Sequence, residues 1–94
     1  SRGLGDVYKR QAFRRWEAPL ARGLATMKRR GELSRKADPQ RLAAMVIAAL
    51  QGGMLMARVR DDVTPLHDSL TAALTELRRW TPRPRPVSTR AKAR

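Results

Sequence analysis

The sequence predicts an all-α fold: a helical bundle of three main helices, at about 13–31, 39–60 and 64–80, the last two forming a dimeric four-helix interface. Three observations lead there. Apolar residues recur at helical spacing in each segment, and no segment shows the apolar–polar alternation of a strand. Two segments open on residues that start helices, Asp38-Pro39 and Thr64-Pro65. The stretch 12–80 has only 69 residues, a size at which a lone core is marginal and a second chain is a natural source of cover.

In the first helix the stripe is Phe13, Trp16, Leu20, Leu24 and Met27, spaced 3, 4, 4 and 3. Gly31 supplies a stop, and Lys28, Arg29 and Arg30 occupy the last turn, where the helix dipole favours cations. Pro19 stands inside this segment and costs a helical hydrogen bond. The stripe keeps its phase through it, which favours a kinked helix over a start near Glu17. The second helix has Asp38 as its N-cap and is apolar almost all round: Leu42, Met45, Val46, Ala49, Leu50, Gly53 and Met56 mark one side, and Ala43, Ile47 and Met54 another. Such a helix must be covered all round. Gly52 and Gly53 each cost roughly 1 kcal/mol against alanine inside a helix, so close approach of another backbone is expected at both. The third helix carries Leu66, Leu70, Ala73, Leu74, Leu77 and Trp80 on one stripe.

Composition narrows the function. Zero cysteines exclude disulfides and thiol chemistry, and one histidine, His67, excludes a His-rich metal site. No serine has the glycine surroundings of a nucleophile elbow. Neither an enzyme nor a metal or other cofactor is therefore expected. The longest apolar stretch, 42–57, is interrupted by Gln51, Gly52 and Gly53 and falls short of the roughly 20 residues of a membrane span. A soluble, cytoplasmic chain is the expectation. The formal net charge of +13 invites a nucleic-acid reading, but five of the basic residues sit in the tail 81–94, which has no acid and reads as a disordered Pro/Arg segment.

Residues 1–11 fit nothing that follows. Asp6 to Gln11, Asp-Val-Tyr-Lys-Arg-Gln, resembles the translation of a transposase mosaic end used as a sequencing adapter, all six residues in a row. This segment is set aside as adapter-derived, which leaves 12–80 as a helical domain whose gene was cut on its 5′ side.

The order of parts in 12–80 then carries a resemblance. A helix ends in Lys28-Arg29-Arg30-Gly31-Glu32-Leu33; Asp38-Pro39-Gln40-Arg41-Leu42-Ala43 follows; next come Leu50-Gln51-Gly52-Gly53-Met54-Leu55-Met56-Ala57-Arg58 and a leucine-striped final helix. This resembles the C-terminal half of TetR-family transcriptional regulators. The resemblance implies a one-component bacterial regulator, most often a repressor, that dimerises through its last two helices and binds a small-molecule effector. Operator DNA would be read by an N-terminal helix-turn-helix, which this sequence lacks.

On that reading Phe13, Trp16, Leu20, Met45 and Ala49 are candidates for the effector pocket, plain packing being the alternative for each. Leu50, Gly53, Met54, Leu66, Leu70, Leu74 and Leu77 are candidates for the dimer interface. His67, Asp61 and Asp62 are read as surface and capping residues rather than metal ligands. Gly52 and Gly53 are not a phosphate loop, because no Lys-Ser/Thr follows them. The rival reading is a small basic helical protein that binds nucleic acid non-specifically through its tail.

Overall fold

A computed structural model describes residues 2–82, and the basic tail from residue 83 lies outside the described residues. Three helices make up the fold: α1 (Arg2–Arg29), α2 (Pro39–Arg60) and α3 (Thr64–Arg79). No strand occurs among the described residues. The helix α2 is the middle element, with α1 packed on one side and α3 on another.

α1 begins at Arg2 rather than near residue 13. The segment before Phe13 has no proline, and its weak points, Gly3 and Gly5, only lower helix propensity. The helix also runs unbroken through Pro19. Pro19 is exposed, as is Arg15 one turn earlier, so the carbonyl that proline leaves without a helical donor can turn to water. The helix ends two residues before the expected 31, in a Schellman motif. Gly31 adopts φ +80°; its N–H donates to the Lys28 carbonyl at 3.1 Å and the Glu32 N–H to the Met27 carbonyl at 2.8 Å.

The connection 30–38, although no periodicity marks it, contributes two residues to the core. Leu33 and Ala37 are 3% and 1% exposed and join Ala21, Leu24, Leu42 and Ala43 in one core cluster. Leu20, Met27, Met45, Leu77 and Trp80 pack around it. Two polar ties hold the connection down. The Lys28 ammonium donates to the Ala37 carbonyl at 2.8 Å, and the Ser34 N–H donates to the Trp80 carbonyl at 2.7 Å. The core thus sits at one end, where α1 finishes, α2 starts and α3 finishes.

α2 opens as expected. The Asp38 carboxylate accepts from the Gln40 and Arg41 N–H groups at 3.1 and 3.3 Å, with Pro39 in the first helical turn. It closes on Asp61 in the left-handed region, φ 53°. α3 starts at Thr64, but Thr64 is not its cap. The Asp62 carboxylate accepts from the Thr64 N–H at 2.9 Å, and that hydrogen bond holds the Asp62 carboxyl below the ordinary carboxylate range.

One expectation about α2 needs correction. Its 22 residues, from Pro39 to Arg60, are long and apolar enough for a membrane span by those two measures alone, because Pro39, Gln40 and the terminal arginines lengthen the helix beyond 42–57. As expected of three helices in sequence, its cover within one chain is partial: Ala44, Ala48, Gly52, Leu55 and Val59 lie exposed at successive turns. The face toward α3 is the tightly packed one.

Candidate functional site

Gly53 fixes how α2 and α3 meet. A Cβ placed on it would overlap the Ser69 hydroxyl and come within 2.9 Å of the Leu66 Cα, so only glycine allows this crossing. Ser69 completes the contact by donating to the Ala49 carbonyl at 2.9 Å. Gly52 differs: nothing lies within 4 Å of a Cβ there, so the expected close approach is absent at that position within the chain.

The five pocket candidates are not gathered round one cavity. Phe13 and Trp16 stand about half exposed on α1. Leu20 packs against the core, and Ala49 is engaged through its carbonyl at the α2–α3 crossing. Met45 alone of the five lines a hollow of about 560 Å³ between the 30–38 connection, the first turns of α2 and the end of α3. Leu42 and Trp80 give that cleft its apolar wall, and Lys36, Asp38, Arg41 and Glu76 its polar one. Trp80 is oriented by Glu76, which accepts from the indole Nε1 at 3.1 Å through one oxygen and from Arg79 at 3.0 Å through the other.

Of the seven interface candidates, Gly53 is buried and Leu66 lies against it inside the chain. Leu50, Met54, Leu70 and Leu77 are half-buried, Leu77 against the core, and Leu74 is 50% exposed. The exposed run on α2, Ala44 to Val59, was not singled out from the sequence. Helical spacing of small and apolar residues marks it, but a helix apolar all round hides which side stays open. The Glu76–Trp80 pair had a legible signal in its i, i+4 spacing. The roles of Lys36 and Arg41 had none.

His67 lies on the surface with its Nδ1 3.3 Å from Asp68 Oδ1. Among the described residues no three His, Cys, Asp or Glu side chains gather as a metal site would need.

A family model described as the tetracyclin repressor-like C-terminal domain matches residues 9–73. The chain belongs to this family. No curated protein and no solved structure shows a significant match to it. In a tetracyclin repressor-like C-terminal domain, a long apolar helix such as α2 belongs to a helical bundle rather than to a bilayer. The all-α architecture agrees with the family, whose general character is the ligand-binding and dimerisation part of a regulator.

Proposed function

We propose that this domain is the dimerisation and effector-binding part of a cytoplasmic bacterial repressor. Its operator would be read by a helix-turn-helix outside these 94 residues. An unidentified small molecule would act by shifting the balance between DNA-competent and DNA-incompetent dimers. The observation that carries the reading is the exposed apolar run of α2, with Leu55 at 60% and Val59 at 77% exposure, in a chain of this family. Apolar surface contiguous along a helix is what a second copy covers.

Sedimentation equilibrium tests the dimer. The 94-residue chain should have twice its monomer mass, and either Leu55→Arg on the exposed run or Leu70→Glu in the leucine-lined set should reduce it to monomer. The variant that does so identifies the face. Monomer mass for the unaltered chain, or dimers in both variants, would overturn the reading.

Residues 1–11 belong to the same proposal as an adapter-derived segment. Sequencing the source DNA upstream of the Ala12 codon should show genuine coding sequence that continues in frame into a helix-turn-helix. Genuine DNA encoding residues 1–11 would refute this part.

A further inference from the structure

We infer that the cleft at the end of the bundle binds a small aromatic carboxylate. Its volume, about 560 Å³, lies within the range of small-molecule sites. Its apolar wall is a flat indole, Trp80, beside Leu42 and the adaptable thioether of Met45. Such a wall suits a flat ring.

The polar wall sets the sign of the charge. It holds two acids and two bases, yet they are not equivalent. Both Glu76 oxygens are occupied, one by the Trp80 indole and one by Arg79. Asp38 accepts both of the backbone amides that it caps through Oδ1, which leaves Oδ2 as the one carboxylate oxygen of the wall without a donor among the described residues. The Lys36 ammonium and the Arg41 guanidinium have no hydrogen-bond or ion-pair partner among the described residues. Two unpaired cations thus face one open carboxylate oxygen, so the balance left to meet a ligand is positive, and Arg41 offers a planar fork that matches a carboxylate.

The cleft is also held in shape before any ligand arrives. The Ser34–Trp80 main-chain bond fastens the connection to α3, and Lys28 fastens it to α1 through Ala37. Preorganisation of this kind lowers the cost of binding. The inference does not rest on the regulator reading, since a carboxylate can bind here whether or not an operator is controlled.

The test uses the 94-residue chain, 2-naphthoate as probe and the two tryptophan indole N–H resonances as reporters. The Trp80 indole should shift saturably, with a dissociation constant of roughly 0.1–1 mM for a probe of this size, while the Trp16 indole stays in place. The uncharged 2-naphthamide should bind about 3–10-fold more weakly, as should 2-naphthoate on the Lys36→Ala/Arg41→Ala variant; both substituted side chains lie on the surface, so the fold remains. Acetate, with the charge but no ring, should leave Trp80 unmoved. Equal affinity for the amide, unchanged affinity in the variant, or shifts confined to α1 and the exposed run of α2 would overturn the inference. None of these outcomes alters the sedimentation result, so the two proposals fail separately.

Discussion

Gly52 and Gly53 are neighbours with opposite fates. At Gly53 a methyl group would meet the Leu66 backbone and the Ser69 hydroxyl, and a backbone yields less readily than a side-chain end. Gly53→Ala should therefore destabilise the fold by about 1–3 kcal/mol, the usual cost of overpacking. Gly52 has open space around it within the chain, so Gly52→Ala should stabilise the monomeric Leu55→Arg chain by up to about 1 kcal/mol through helix propensity alone. Urea unfolding of the two variants reads the contrast, and equal effects at both positions would refute the crossing at Gly53. The sequence made both glycines suspect. Only the phase of α2 against α3 separates them, and that phase is a tertiary fact.

At the scale of elements, helix ends were more legible than helix starts without a cap. Asp38-Pro39 and Thr64-Pro65 placed the starts of α2 and α3 because a carboxylate cap and a fixed proline φ act locally. The start of α1 has no such signal, and the helix runs back through a segment set aside on other grounds. The 30–38 connection was illegible for a related reason. Leu33 and Ala37 are buried by three separate elements converging on them, and that convergence leaves no period in the sequence. The start of α3 also carries a pH dependence. Because the folded pKa of Asp62 lies below its unfolded value, its hydrogen bond to Thr64 adds stability above the ordinary carboxylate range and loses it as pH falls through the folded value. Asp62→Ala should thus be less stable than the parent at neutral pH, the gap closing in acid. Thermal unfolding across that range checks it, and a gap that did not change with pH would contradict a stabilising Asp62–Thr64 hydrogen bond.

For the whole molecule, one end is tied and the other is open. The core cluster, the Lys28–Ala37 tie and the Ser34–Trp80 tie lie together, whereas Phe13, Trp16, Leu55 and Val59 present apolar surface elsewhere. Both proposed activities follow that division, with ligand binding at the closed end and self-association on the open face.

The Ser34–Trp80 tie joins main chain to main chain across 46 positions of sequence. Neither side chain takes part in it, so replacing Ser34 by any residue that keeps its amide proton leaves the bond intact. Proline alone removes that proton. In a scan of every substitution at position 34, proline should stand apart as the one severe loss, with a lowered melting temperature and a weakened hold on Trp80. The other changes should be mild, limited to the turn in which the Ser34 hydroxyl accepts from the Lys36 N–H at 3.1 Å. The residue on which the closed end depends can therefore drift freely in identity while its role stays fixed.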